Sequence, residues 1–400
     1  MKKFLSVLLT CLMITAALTC CSSTKTNQDE KNNIKNINEN GEIVIGAILP
    51  LTGTDSVYGT SAKQGFELAI EEINAYGGIL GRKIVLNAKD DMNTPEKAVY
   101  AFNELVSEST TLIIGAVNSD CTFSISQMAN KEKVILISPS ATSDEIPSED
   151  DYIFRTCYSD SAQGIFAAKF AKDLGYTEAA VLYSSDDKYS SSIYSSFKNA
   201  CEEYGITVTV EEATDNIDTT DFTDSLSVIT QSGIEFLFAP YYCDIAATYI
   251  IPQARQAGYD GIIMGTDVYA GCREYITNGS DLSAFENVMF TNHYDPASQN
   301  ESAKAFVAAY KAKYGEIPSS YSALAYDTLF ILASAIENAG TLQDNEAIKA
   351  SLSATQNYKG VTGKFSLDQS GTPIKGAAII SYTVEDDKIV TKYVTDVTLL

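Results

Sequence analysis

The sequence contains no tryptophan and only one histidine, His293, among its 400 residues. A single imidazole disfavours a zinc site, because such sites combine several Cys and His ligands. It also disfavours a serine hydrolase, since His293 would be the only imidazole base and no Gly-x-Ser-x-Gly motif occurs. We therefore expect no catalytic residues, no metal and no cofactor, and we predict that His293 is a structural or surface residue.

Positive charge is also scarce. The chain has 28 Lys and Arg residues against 52 Asp and Glu residues, which gives a formal net charge of −24. Nucleic-acid binding depends on neutralising phosphates with basic side chains, so a DNA or RNA partner is excluded. Phosphate-binding loops and dinucleotide-binding glycine fingerprints are missing as well, which argues against a nucleotide-dependent enzyme.

Long apolar runs are confined to the N-terminus, where Lys2 and Lys3 precede the run Phe4–Leu18. A membrane-spanning helix needs about 20 apolar residues, so this run is short for a span. Its basic, apolar and small-residue zones are typical of an export signal. Residues 1–20 are therefore predicted to be a signal peptide.

The export signal ends in Leu18-Thr19-Cys20-Cys21, which resembles a bacterial lipobox. The resemblance implies that Cys21 is lipidated, with Cys20 as an alternative acceptor and a plain secretory signal as the other alternative. Residues 22–40 are polar and rich in Asn and Lys, so they cannot bury enough surface to fold. We predict a lipidated flexible tether over 21–40 that anchors an extracytoplasmic protein to the outer face of the cell membrane.

Cysteines beyond the tether are few and show no paired spacing. An odd number without a Cys-x-x-Cys motif does not suggest a metal site or a disulfide framework. A domain of this size also has no need of disulfide staples. We predict mostly free, buried thiols at the five remaining positions: Cys121, Cys157, Cys201, Cys243 and Cys272.

Strand-length apolar runs alternate with helical patterns through most of the chain. This alternation predicts an α/β fold in which parallel strands are covered by helices on both faces. The alternation restarts near residue 178, and the length suits two cores. We predict two doubly wound parallel-sheet lobes, followed by helices up to about residue 353 and a β-hairpin tail.

The predicted strands end in hydroxyl, carboxyl and tyrosine side chains. In open parallel sheets, ligands bind outside the carboxyl ends of the strands. An alternative is that these residues only cap the following helices, but capping explains the tyrosines and the paired hydroxyls less well. The strand ends lie at 50–59, 117–122, 138–143, 184–190, 240–244 and 266–271.

The residue types at these ends suit a zwitterion. Ser119 opens a helix whose N-terminal N–H groups attract an anion, so Ser119 and Thr142 are predicted to hold a carboxylate. Asp267 is the natural partner of an ammonium group, together with Thr142 and the carbonyl group of Ser140.

The order of these motifs resembles the type I periplasmic substrate-binding proteins of ABC transporters, specifically the branched-chain amino-acid (leucine/isoleucine/valine) binding family. The resemblance covers residues 42 to 385. It implies two lobes joined by three hinge crossings near 157–159, 290–292 and 368–372, with lobe 1 formed by 41–157 plus 291–370 and lobe 2 by 158–290 plus 371–400. The matching fragments are IGAILPLTGTDSVYGTSAKQGFELAIEEINAYGGILGRKIVL, DDMNTPEKAV, LIIGAVNSD, ISPSATS, FRT, IEFLFAPYY, QARQAGY and MGTD.

The resemblance also implies a set of ligand-binding residues, matched here position by position. Asp267 stands where the family often has Glu, Asn118 and Asp120 flank the serine site, and Tyr241 and Tyr269 suggest a bulky wall in lobe 2, so the side-chain pocket is not expected to suit leucine. The implied ligand-binding residues are Tyr58, Ser119, Ser140, Ala141, Thr142, Tyr189, Tyr242 and Asp267.

The function implied by the resemblance is capture of an amino acid or a close analogue in the cleft between the lobes. A monomer would then deliver it to the permease of an ABC transporter. Two alternatives stay open: a sensor that is read by a partner receptor, and, with less support from the motifs, an exported hydrolase.

Overall fold

The computed structural model describes residues 35–53, 55–146, 151–277, 279–298 and 300–398. The predicted signal peptide, Cys20, Cys21 and most of the predicted tether lie outside the described residues. Within the described part of the chain, no helix is both long enough and apolar enough to cross a bilayer.

The C-terminal end of the predicted tether is part of the fold. Asn36 is only 2 % exposed, and its side-chain carbonyl group accepts a hydrogen bond from Thr111 N at 2.6 Å. Its amide group donates to Leu342 O at 3.1 Å, and Ile37 pairs with Ile43. The prediction that the tether extends to residue 40 is therefore wrong, because one asparagine satisfies buried backbone groups that a polarity count does not reveal.

Lobe 1 is built on a parallel sheet of five strands in the order β2-β1-β3-β4-β5. Apolar clusters lie on both faces of this sheet, with Ile45 in one and Ile48 in the other. Such two-sided burial explains why the strands read as continuous apolar runs. The elements are β1 (Ile43–Leu49), α1 (Ser56–Ala75), β2 (Ile84–Asp90), α2 (Pro95–Ser107), β3 (Leu112–Gly115), α3 (Ser119–Glu132), β4 (Ile135–Ser138) and β5 (Ile153–Arg155).

Lobe 2 is built on a sheet of seven strands in the order β15-β14-β10-β9-β8-β6-β7. Five strands are parallel, whereas β14 and β15 are antiparallel additions from the tail. Before the tail, the elements are α4 (Asp160–Asp173), β6 (Glu178–Ser184), α5 (Lys188–Tyr204), β7 (Thr207–Thr214), α6 (Thr223–Ser232), β8 (Phe236–Phe238), α7 (Cys243–Ile245), a π-helical turn (Ala246–Ile250), α8 (Ile251–Gln256), β9 (Ile262–Gly265), two 3-10 helices (Asp267–Tyr275 and Leu282–Phe285) and β10 (Val288–Asn292).

The C-terminal quarter of the chain contributes to both lobes. Its helices complete the core of lobe 1, where Leu329 and Ile348 join the apolar cluster of β1. These elements are α9 (Glu301–Tyr314), α10 (Ser320–Ala339), α11 (Asn345–Ser353), β11 (Tyr358–Gly360), β12 (Gly363–Leu367), β13 (Pro373–Ile374), β14 (Ala377–Glu385) and β15 (Lys388–Val397), with β11, β12 and β13 forming a small antiparallel sheet.

Each lobe has one glycine that lets two helices pack closely. A Cβ on Gly65 of α1 would lie 2.1 Å from the carbonyl oxygen of Ser322 in α10. In lobe 2, a Cβ on Gly164 of α4 would lie 2.5 Å from the carbonyl oxygen of Ile193 in α5. Neither position has room for any other residue.

The chain crosses between the lobes three times. The first crossing follows β5, as predicted near 157–159. The second prediction, 290–292, falls inside β10, so that crossing begins only at His293. The third prediction, 368–372, is the turn between β12 and β13, and the crossing itself lies between β13 and β14. Short strands beside each crossing explain both errors, because they carry the sheets further along the chain than the sequence pattern suggests.

Candidate ligand-binding cleft

Two adjoining cavities open between the lobes. We call them the Ser119 cavity, of about 520 Å³, and the Tyr58 cavity, of about 400 Å³. Each is named after a residue that lines that cavity and not the other. Because they share residues from both lobes, they form one continuous cleft. The shared lining residues are Asn118, Ser140, Tyr242, Asp267, Val268 and Tyr321.

Topology places the cleft where ligand sites are expected in α/β sheets. The strand order reverses between β1 and β3 in lobe 1 and between β6 and β8 in lobe 2. Crevices at the carboxyl ends of such strand pairs are the usual ligand sites. Tyr58 and Asn118 follow the first pair, and Tyr189 and Tyr242 follow the second, so both reversal points face the same cleft.

Seven of the eight predicted ligand-binding residues line this cleft, and Ala141 does not. Ala141 is fully buried. Its N–H group donates to Ser138 Oγ at 3.0 Å, and its carbonyl group accepts from Arg155 Nη1 at 3.2 Å. The prediction for Ala141 is therefore wrong, since the bend after β4 turns its backbone groups into lobe 1.

The lobe 1 wall offers hydroxyl groups and a helix N-terminus. Asn118 does not cap α3 with its side chain, so the N-terminal N–H groups of that helix stay open beside Ser119. Ser119 Oγ accepts from Ser143 N at 3.3 Å and keeps its own proton available. Ser140 Oγ donates to Val117 O at 2.8 Å, which leaves the Ser140 carbonyl group as an acceptor. These groups suit a ligand that carries an anionic group next to a hydrogen-bond donor.

The lobe 2 wall is organised around Asp267. Its Oδ1 accepts from Tyr189 Oη at 3.2 Å, and its Oδ2 accepts from His293 Nε2 at 3.0 Å. The backbone N–H group of Asp267 donates to Gln163 Oε1 at 2.9 Å. The carboxylate is thus held in one orientation at the edge of both cavities.

His293 supports Asp267 from the second crossing. It is only 6 % exposed and stacks on Tyr158, with ring centroids 3.7 Å apart. Because a carboxylate only accepts hydrogen bonds, the proton sits on Nε2. Burial lowers the pKa of His293, against the opposing effect of Asp267, so the ring is neutral near pH 7. The predicted surface position of His293 is wrong, since the ring is buried and lines the Tyr58 cavity, and its structural role stays a prediction.

Asp160 is a second acid in the cleft that the sequence analysis missed. It is 5 % exposed, it lines the Ser119 cavity, and its N–H group donates to Thr142 O at 2.8 Å. Burial raises the pKa of Asp160 to about 7, and the charge of Asp267 adds to this effect, whereas a hydrogen bond with Thr142 opposes it. Gln163 Nε2 donates to Asp160 Oδ1 at 3.3 Å and so links the two acids.

Tyrosines form the aromatic part of the cleft. Tyr58 stacks on Tyr321 at 4.7 Å, and Tyr189 stacks on Tyr242 at 5.1 Å. The first pair belongs to lobe 1 and the second to lobe 2, so each wall of the cleft carries one stacked pair of rings.

Two tyrosines that were expected to make this wall bulky lie elsewhere. Tyr241 is fully buried, and its hydroxyl group is 2.7 Å from Thr214 Oγ1. Tyr269 is also buried and donates to Ala239 O at 2.7 Å. The expectation was wrong because both rings turn into the core of lobe 2.

Helix capping explains only part of the polar strand ends. Asp187 caps α5 by accepting from Ser190 N at 2.8 Å. By contrast, the side chains of Asn118, Tyr242 and Thr266 make no capping hydrogen bond at the helices that they precede. Most of the cleft residues therefore need another explanation than capping.

Contacts across the cleft hold the lobes together at its rim. Glu145 of lobe 1 pairs with Lys188 of lobe 2, and the Asp144 carboxylate accepts from Ser161 Oγ at 2.8 Å. At the other end, a Cβ on Gly271 would lie 3.2 Å from Cys243 Sγ and 4.0 Å from Tyr58 Oη. The two rims therefore approach each other closely on both sides of the cavities.

The five cysteines among the described residues are free. Four are buried and Cys243, which lines the Tyr58 cavity, is partly exposed. Burial raises the pKa of the Cys243 thiol to about 11. Over the described residues, no group of three His, Cys, Asp or Glu side chains is arranged to hold a metal ion.

Comparison with known proteins identifies the family. Residues 42–388 match the family model described as periplasmic binding protein. The chain belongs to the periplasmic binding protein family. This is a family of solute-binding proteins that work outside the cytoplasm, and its members are not enzymes, which agrees with the two lobes and the cleft described above.

Individual relatives cover nearly the whole chain. The leucine-, isoleucine-, valine-, threonine- and alanine-binding protein of Pseudomonas aeruginosa is 30% identical over 324 residues, 80% of this chain and 84% of that protein. A leucine-binding protein from Thermotoga maritima has a TM-score of 0.73 at 30% identity, covering 89% of this chain and 99% of its own. A branched-chain amino-acid transporter substrate-binding protein from Streptococcus pneumoniae, in complex with isoleucine, has a TM-score of 0.72 at 30% identity, covering 88% and 99%. They confirm the predicted α/β fold of two lobes.

Proposed function

We propose that this protein is an extracytoplasmic lipoprotein that captures an amino acid between its lobes and delivers it to an ABC transporter. The observation that carries the proposal is that one cavity contains both acidic groups and a helix N-terminus that attracts anions. Asp160 and Asp267 lie on the lobe 2 side, and the N-terminus of α3 with Ser119 lies on the lobe 1 side.

The proposed ligand pose follows from charge. The ammonium group faces Asp160, Asp267 and the Ser140 carbonyl group, and the carboxylate faces Ser119, Thr142 and the N-terminal N–H groups of α3. Closure of the cleft removes water from these charge-assisted hydrogen bonds and makes them stronger than at a wet surface. Names of the relatives support this class of ligand, because those proteins bind amino acids.

A thermal-shift screen of the purified protein against the twenty amino acids tests the proposal. A ligand at 100 times its Kd stabilises a protein by about 2.7 kcal/mol, so a binder raises the Tm clearly. Controls are the N-acetylated and carboxamide forms of each hit, which lack one charge and should give no shift. If no amino acid raises the Tm, or if the blocked forms work equally well, the proposal fails.

Ligand protection of Cys243 gives an independent readout. This thiol lines the Tyr58 cavity and is the only partly exposed one among the cysteines described. A bound amino acid should slow its modification by a methanethiosulfonate reagent, measured by mass spectrometry. Labelling that proceeds at the same rate with saturating ligand would place the ligand elsewhere.

The lipid anchor and the transport role are parts of the proposal that the lipobox-like sequence supports. Cys21→Ala should move the protein from the membrane fraction to the soluble fraction, while the neighbouring change Cys20→Ala should leave it at the membrane. Loss of anchoring in the Cys20 variant alone would assign the lipid to that residue. A pull-down that recovers a permease, and not a sensor receptor, would separate transport from sensing.

A further inference from the structure

The polar side chain of Asn118 lies where the two cavities meet. It lines both the Ser119 cavity and the Tyr58 cavity, although it does not cap the helix that it precedes. A ligand whose head group occupies the Ser119 cavity would extend its side chain into the Tyr58 cavity through the junction that Asn118 helps to line. Asn118 is therefore positioned to select among side chains.

A relay of hydrogen bonds fixes the orientation of the Asn118 amide group. Asp55 Oδ2 accepts from Asn93 Nδ2 at 2.5 Å, and Asn93 Oδ1 in turn accepts from Asn118 Nδ2. A carboxylate can only accept, so each amide in the relay must point its nitrogen toward Asp55. Among the described residues, none donates to Asn118 Oδ1, and this oxygen remains as an acceptor for a ligand.

The surrounding charges add a second filter. Acidic side chains that line the Ser119 cavity include Asp120, Asp144, Glu145 and Asp187, whereas Lys188 is the only base there and is paired with Glu145. In the Tyr58 cavity, Arg273 and Glu274 offset each other in charge. A negatively charged ligand side chain would meet net repulsion in this cleft.

We infer that the ligand is an amino acid whose side chain carries a hydrogen-bond donor, such as an amide, hydroxyl or cationic group, and that Asn118 Oδ1 reads this donor. The inference rests on the proposed function and specifies its substrate class. Aliphatic side chains leave the Asn118 acceptor unpaired in a desolvated site, and acidic side chains meet like charge.

Calorimetry with isosteric ligand pairs tests the inference on the unmodified protein. Threonine and valine differ by a hydroxyl against a methyl group, and glutamine and glutamate differ by an amide against a carboxylate. We expect threonine to bind more tightly than valine, and glutamine more tightly than glutamate, each by about tenfold or more. Valine equal to or tighter than threonine, or glutamate equal to glutamine, would overturn the inference while leaving amino-acid capture intact.

Two variants assign the selection to Asn118 and its relay. Asn118→Leu should reverse the preference within the threonine and valine pair, whereas Asn103→Leu, at an exposed position of α2, should leave it unchanged. Asp55→Asn should weaken the preference for glutamine over glutamate, because the relay then no longer forces Asn118 Oδ1 into the cleft. Unchanged preferences in both relay variants would refute the role of Asn118. If no amino acid of any kind binds, the proposed function itself fails.

Discussion

The two lobes meet the same cleft with different chemistry. Lobe 1 presents hydroxyl groups and the open N-terminus of α3, and its acids at the cavity, Asp120, Asp144 and Glu145, are exposed to solvent. Lobe 2 presents the carboxyl groups of Asp160 and Asp267 inside the cleft. Neither wall alone can hold both ends of a zwitterion. Under the proposed function, an amino acid would gain its full set of contacts only when the lobes come together, and a ligand of this kind shifts a hinged protein toward its closed state.

Removing the cation-binding carboxylate of lobe 2 should have the largest effect on affinity. Asp267→Ala deletes a partly buried charge-assisted partner worth about 1.5–3 kcal/mol. We expect amino-acid affinity, measured by calorimetry, to fall by about tenfold to a hundredfold or more. Asp260→Ala, an exposed acid of the same lobe, is the matched control. Unchanged affinity in the Asp267 variant would refute its assignment as the ammonium partner.

Asp160 should make binding depend on pH. Its carboxyl group holds a proton below about pH 7, and an ammonium ligand selects the ionised form. Binding therefore expels a proton below pH 7, and the affinity should fall by up to about tenfold for each pH unit below that point. Asp160→Asn should flatten the profile between pH 6 and 7.5 in calorimetric titrations. A slope that persists in this variant would assign the proton to another group.

Weakening the anion-binding side should have a smaller effect, because the N–H groups of α3 remain. Ser119→Ala is expected to lower affinity by about tenfold, which corresponds to the low end, about 1.5 kcal/mol, of the value of a hydrogen bond to a charged group. Ser126→Ala, further along the same helix, serves as the control. The loss should be confined to the Ser119 variant, and an equal loss in Ser126→Ala would argue against a carboxylate contact.

The exposed ion pair at the rim should matter least. Glu145 and Lys188 join the lobes, but both side chains are largely in solvent. Such pairs contribute about 0–1 kcal/mol and are screened by salt. Lys188→Ala should change affinity by less than about fivefold, and this change should vanish at 1 M salt. A larger or salt-independent loss would show that the residue contacts the ligand.

The sequence pattern predicted the regular part of the fold well. Helix α5, for example, begins after the cap Asp187 and ends at Gly205, and both are strong local signals in the sequence. Strand β5 has only three residues and carries no periodic signal, so neither β5 nor the following helix α4 was predicted from the pattern. The antiparallel pairing of β14 with β10 is also a long-range contact that local patterns do not encode.

The site was predicted where it depends on strand ends and missed where it depends on tertiary contacts. Applying the same strand-end rule to β5 would have led to Asp160, which follows that strand by five residues. His293 reaches Asp267 only because β10 lies beside β9. Ala141 failed as a prediction because backbone direction after a strand is set by hydrogen bonds such as those from Arg155, and no residue pattern reports them.

The close approach of the rims at Gly271 bears on how long a ligand stays bound. A Cβ there would press on Cys243 Sγ of the same lobe and reach van der Waals contact with Tyr58 of lobe 1, so the rims are close at this point. We expect the dissociation rate of the bound ligand to be set by how often the hinge opens. The contacts in the cleft would affect this rate by stabilising the closed state. A larger residue at Gly271 should then keep the rims apart and speed release of the ligand, while Asp160, Asp267 and Ser119 stay unchanged.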